Sequence, residues 1–178
     1  RSRGLGDVYK RQDSTNYEAV TYEGYGPNGV AVIVEALTDN RNRTAGEVRH
    51  YFDKFGGNMG TQGCVSFMFS KKGVLVIERE DLEKDEDTVM SDALECGASD
   101  FEADDDVFTI YTETDDFGAV RDELEKLGYT FVSAEIEMVP STYTKLEDEE
   151  TATKMQKMLD MFEDNDDIQN VWHNWEMD

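Results

Sequence analysis

Basic side chains are scarce in this chain, and so are the residues that cross-link or break one. Its 178 residues hold 17 lysines and arginines against 41 aspartates and glutamates, a formal net charge of −24. Such a surface repels nucleic acid, whose binding depends on cations displacing counterions from phosphate. Two cysteines, Cys64 and Cys96, cannot build a disulfide framework and make a reducing compartment the default. Two histidines, His50 and His173, have no metal or triad partner at a recognisable spacing, so neither a metal nor a catalytic site is expected. Only two prolines, with 38% hydrophobic and 11% aromatic residues, exclude a disordered chain. No apolar run approaches the roughly 20 residues that cross a bilayer, and no signal-peptide pattern opens the chain. The expectation is a cytoplasmic globular protein, a monomer, with no cofactor and no membrane partner.

The charge that is present is unevenly placed. Residues 1–72 carry ten Lys/Arg against eight Asp/Glu, whereas residues 73–178 carry seven against thirty-three. Contact with DNA or RNA is therefore expected through the first part or through a segment outside this sequence. Residues 1–12, RSRGLGDVYKRQ, lack apolar periodicity and stop at a polar DSTN break. Residues 1–16 are expected to be a non-native or disordered leader.

Apolar periodicity divides the remainder. GVAVIVEAL (29–37) reads as a central strand. Thr44 and Glu47 form a T-x-x-E capping box, and Val48, Tyr51, Phe52 and Phe55 then mark a helical face that ends at Gly56 and Gly57. CVSFMF (64–69) alternates as a strand. A second module follows: strand 74–78, helix 87–97, two strands over 99–113 turning at 104–106, a helix marked by Phe117, Val120, Leu124 and Leu127, and a strand over 131–139. In that last strand Val132, Ala134, Ile136 and Met138 alternate against polar residues. Beyond Pro140 come a strand (141–146), a helix (148–163) and a strand (168–176). The class predicted is α/β (α+β), two ferredoxin-like β-α-β-β-α-β domains with the second inserted into the first. The first would comprise 17–73 plus 141–178, and the acidic second 74–140.

Most chemical motifs dissolve on inspection. GYGPNG (24–29) matches G-x-G-x-x-G, but a strand follows where a dinucleotide site needs a helix, so it reads as a turn. GGNMGTQG (56–63) lacks the Gly-Lys-Ser/Thr ending of a phosphate loop. The acidic runs 81–87 and 102–108 lack the glycine of a calcium loop. Cys64 and Cys96 look like small core residues. The chain reads as a non-enzyme.

TDNRNRTAGEVRHYF (38–52) is the exception. Arg41 and Arg43, with Asn40 and Asn42 beside them, enter a helix N-terminus that already favours anions, and Arg49, His50 and Lys54 continue along its exposed side. Together they could hold two or three phosphates. Tyr22 and Tyr25 are candidates for stacking on a base. The competing reading is that Arg41 and Arg43 simply pair with Asp39, Glu35 and the acidic second domain.

YEGYGPNGVAVIVEALTDNRNRTAGEVRHYFDKFGGNMGTQGCVSFMF resembles the central signature of the YebC family, and the terminal DIQNVWHNWE is similar to that family's ending. The family includes bacterial transcriptional regulators of the PmpR type and mitochondrial translational activators. The resemblance covers about residues 17–178. It implies a basic helical N-terminal domain followed by two α/β domains, the last inserted into the middle one. RSRGLGDVYKRQ stands where that basic domain is expected, so activity residing there is in doubt for this chain. Three functions follow as expectations. The first is a ribosome-associated translation factor on ribosomal RNA and basic ribosomal proteins, a partnership expected to need the N-terminal domain. The second is a regulator bound to duplex DNA, and the third an acidic protein-interaction adaptor. No helix here has a recognition-helix composition, and a local patch beside a large acidic surface suits RNA phosphate better.

Overall fold

The computed structural model describes residues 16–176, so the leader expected over 1–16 lies, but for Asn16, outside the described residues. The chain divides into two compact units, Arg1–Ser70 with Pro140–Asp178, and Lys71–Val139. Each has a four-stranded antiparallel sheet and two helices, in keeping with the α+β, ferredoxin-like class that the periodicity predicts, although the first runs β-β-α-β-α-β where β-α-β-β-α-β is expected.

In the first unit, β1 (Glu18–Tyr25) and β2 (Ala31–Thr38) form a hairpin. GYGPNG is its turn: Pro27 opens a short 3-10 segment, and Asn28 and Gly29 take positive φ of 60° and 83°. Helix α1 (Arg41–Lys54) and the two-residue β3 (Asn58–Met59) follow. The chain returns after the second unit as α4 (Glu149–Asp164) and β8 (Ile168–His173), and the sheet order is β3-β1-β2-β8. Val32 and Val34 of β2 point at both helices, where they pack with Val48, Phe52, Met155, Met158 and Phe162. Phe162 meets the rings of Tyr51 and Phe52 edge-on, each at 5.5 Å between centroids. Phe162→Ala is expected to destabilise this unit by about 3–5 kcal/mol in chemical denaturation, because it empties the centre of an aromatic cluster.

Four expectations for this unit are corrected. β1 is a strand that the apolar pattern did not announce. Residues 64–69 are not a strand: they turn into a 3-10 segment at Ser66–Met68, and only Phe69 enters the next strand, β4 (Phe69–Glu78). Residues 141–146 contribute a single bridge, Thr144 to Trp175. Helix α1 starts at Arg41, three residues before the expected cap, with Asn40 as N-cap.

The second unit follows its periodicity closely. β4 (Phe69–Glu78), α2 (Glu86–Glu95), β5 (Asp100–Ala103), β6 (Val107–Thr112), α3 (Phe117–Lys126) and β7 (Ser133–Pro140) run in the order β-α-β-β-α-β, with sheet order β5-β6-β4-β7. Leu75, Ile77, Phe108 and Ile110 face the helices and pack on Val89, Val120 and Leu124. Asp85 caps α2 by accepting the N–H of Thr88 at 2.8 Å. Val132, expected to face inward, lies before β7 and is 60% exposed.

Candidate nucleic-acid interface

Helix α1 is polar on one side because the other is fully used. Thr44, Val48 and Phe52 are buried, while Arg41, Asn42, Arg43, Gly46, Arg49, His50, Asp53 and Lys54 are exposed. Its start is fixed by side chains. The Asn40 carboxamide oxygen accepts the N–H of Arg43 at 3.1 Å, satisfying one of the donors that a first helical turn leaves free. Thr44 is not a cap. Its hydroxyl donates to Asp167 Oδ2 at 3.0 Å and lies 2.7 Å from Thr38 Oγ1. Glu47 accepts from Asn165 Nδ2 at 3.1 Å, so it is a tie to the chain after α4 and closes no capping box.

The expected cations separate into two kinds. Arg43 Nη2 donates to Asp39 Oδ1 at 2.9 Å and Asp167 Oδ2 at 2.8 Å. The Asp167 hydrogen bond, then that to Asp39, hold its guanidinium still more firmly protonated than usual. Arg43 is thus a clamp between the β2–α1 corner and the segment before β8, with its charge already answered. Arg41 is 66% exposed, its contact with Glu18 is a loose 3.5 Å, and water screens it. Among the described residues Arg49 and His50 have no ion-pair partner, and Lys54 lies 5.6 Å from the Phe55 ring centroid. Asn40, Arg41 and Asn42 line an open depression of about 450 Å³ with Asn16, Glu18 and Asp39. The exposed side of α1 thus presents Arg41, Asn42, Arg49, His50 and Lys54, while the Arg43 guanidinium is engaged by Asp39 and Asp167.

Tyr22 and Tyr25 do not form a joint stacking platform. Three residues apart on β1, they point to opposite faces. Tyr22 packs against the first core, and its hydroxyl donates to the Arg41 carbonyl at 3.5 Å. Burial pushes its phenol above the usual range. The Tyr25 hydroxyl donates to the Cys64 carbonyl at 3.3 Å.

Tyr25 belongs to an arrangement the sequence reading missed. Glu23, beside it on β1, is only 3% exposed. Its Oε2 accepts the N–H of Gly63 at 2.7 Å, and its Oε1 accepts those of Val65 at 3.1 Å and Ser66 at 2.7 Å. Burial by itself would raise this carboxyl, but the backbone donors outweigh it and hold it below the usual carboxylate range. The glycine-rich loop is thereby pinned to β1. Gly57 lets the loop pass close, since a Cβ there would collide with the Tyr25 carbonyl. Gly63 supplies a φ of +92° at the point where it meets Glu23. The remaining titratable candidates are structural. Burial holds His173 below its ordinary value, and its Nδ1 accepts the N–H of Trp175 at 3.2 Å. No group of three or more His, Cys, Asp or Glu among the described residues could hold a metal ion.

Fold and site together define a two-unit α+β protein carrying a polar, cationic helix and a carboxylate-pinned loop. Residues 17–175 match the family model described as the TACO1/YebC second and third domain, and the chain belongs to that family. It is 64% identical over 163 residues to a "Probable transcriptional regulatory protein" of Acetivibrio thermocellus, covering 92% of this chain and 67% of that protein. A protein of the same name from Caldicellulosiruptor bescii is 61% identical over 176 residues, covering 99% and 70%. The chain thus spans about two thirds of these relatives. A crystal structure of a conserved hypothetical protein from Aquifex aeolicus superposes with a TM-score of 0.80 at 43% identity, covering 93% of this chain and 68% of that one. No helix among the described residues is long and apolar enough to cross a membrane.

Proposed function

We propose that this chain is the RNA-contacting part of a non-enzymatic regulator of gene expression, acting on the ribosome as a translation factor. The observation that carries this reading is the outer side of α1. In a chain of net charge −24 it gathers Arg41, Arg49, His50 and Lys54, and leaves Arg49 and His50 without an ion pair among the described residues. Phosphate is the partner such a face suits, and the strongly acidic second unit suits basic ribosomal proteins. A recognition helix for the DNA major groove would present a run of base-reading side chains over a basic surface. Here Glu47 and Asp53 interrupt α1, and Asp39 and Glu18 flank its start.

The second reading, a regulator bound to duplex DNA, is favoured by the name that the relatives share. The two are separated by sedimentation with ribosomes and by electrophoretic retardation of duplex DNA, both at near-physiological salt. Each is run on this chain and on the chain joined to the rest of the Acetivibrio relative. The proposal expects ribosome binding that excess duplex DNA does not displace. Binding to duplex DNA alone would transfer the function to transcription.

A further inference from the structure

We propose that the loop between α1 and β4 is a base-stacking platform, with Phe67 as its stacking face and an unpaired RNA nucleobase as its ligand. This rests on the RNA reading given above and adds a second, uncharged point of contact. Residues 55–70, FGGNMGTQGCVSFMFS, hold no charged side chain in a chain where a third of all residues are charged. Such a segment neither repels phosphate nor needs a counter-ion. Its exposed residues are Gly56, Asn58, Thr61, Gln62, Gly63, Phe67 and Ser70, of which Phe67 is the sole aromatic.

Phe67 is 76% exposed. An isolated exposed phenylalanine on a wandering loop would mean little. This loop is held at several points. Glu23 takes three of its N–H groups, Tyr25 reaches the Cys64 carbonyl, and the Gly60 N–H donates to the Glu23 carbonyl at 2.8 Å. Within it, the N–H of Cys64 donates to Thr61 at 3.1 Å and that of Met68 to Val65 at 3.0 Å. The ring is therefore held out to solvent by a conformation that is fixed beneath it, with Val65 and Phe69 on either side buried. An exposed aromatic face on a fixed backbone is the chemistry on which a splayed base stacks, whatever the base.

The test is fluorescence anisotropy of a labelled oligoadenylate with the full chain and its Phe67→Ala, Phe67→Leu, Phe67→Trp and Arg49→Glu variants. Because Phe67 is exposed, its variants should melt as the parent does. Phe67→Ala and Phe67→Leu are expected to weaken binding by about tenfold or more, and Phe67→Trp to restore it, since base–aromatic stacking is lost with the ring and kept by indole. Binding retained by leucine but not alanine would overturn the proposal, because an apolar contact without an aromatic face would then suffice. Unchanged binding in all Phe67 variants, with loss in Arg49→Glu, would overturn the platform and leave the RNA reading standing. Absence of oligoadenylate binding by the parent chain would overturn the platform, while the ribosome sedimentation described above decides the RNA reading separately.

Discussion

Replacing Glu23 by glutamine is expected to lower the thermal midpoint by roughly 5–10 °C, a loss of about 2–3 kcal/mol. Both carboxylate oxygens are engaged by backbone donors, Oε2 by Gly63 and Oε1 by Val65 and Ser66. Glutamine has one oxygen, so in either orientation its NH2 confronts an N–H and at least one buried donor is left unpaired. The effect should localise. In hydrogen exchange, the amides of Gly63, Val65 and Ser66 lose protection first, while Leu75 and Ile110 in the other unit keep theirs.

The pH dependence has a definite sign. Because the folded-state pKa of Glu23 is depressed, its contribution is fully present above the unfolded carboxyl value of about 4.3 and fades as pH falls through the lower folded value. The stability gap between parent and Glu23→Gln should therefore be constant near neutrality and narrow below about pH 4. A gap that widened on acidification would contradict an ionised Glu23.

Reversing Arg41 and Arg49 together to glutamate is expected to weaken ribosome association by roughly tenfold or more near physiological salt. The log–log salt slope should become shallower by about 1.4, the value for two lost phosphate contacts on single-stranded RNA. Thermal stability should hardly move, since the Arg41–Glu18 contact is exposed and long and Arg49 has no ion pair among the described residues. Arg43→Glu behaves differently. It places a third carboxylate against Asp39 and Asp167, so it should lower stability, and any loss of binding in it would be inseparable from loss of the β2–α1 corner.

What could be read from sequence depended on whether the deciding contact was local. The second unit was legible because its signals are local: the apolar run of β4, the turn at 104–106 between β5 and β6, and the spacing of Phe117, Val120 and Leu124 along α3. The first unit turned on contacts made across forty residues or more. CVSFMF alternates like a strand, but Glu23 withdraws the N–H groups of Val65 and Ser66 that a ladder would need. The alternation of Val65 and Phe69 is real burial, and Phe67 between them is not. β1 escaped notice for the converse reason: a glutamate inside a strand reads as solvated until its three donors are known.

The candidate site was legible in the same measure. The helix and its exposed cations follow from the spacing of Val48, Phe52 and their neighbours. The fate of Arg43 does not, because Asp167 lies more than a hundred residues away and enters only when β8 pairs with β2. A similar distance misplaced the helix start, since Asp167 takes the Thr44 hydroxyl that a cap would have used.

The most direct test of an RNA-facing α1 is photo-crosslinking from position 50, the centre of its exposed side. A photoreactive amino acid there, irradiated with ribosomes in cell extract containing genomic DNA, should label ribosomal RNA, and the Arg41→Glu/Arg49→Glu background should abolish the label. Crosslinks confined to duplex DNA or to protein, unaffected by those reversals, would contradict the account.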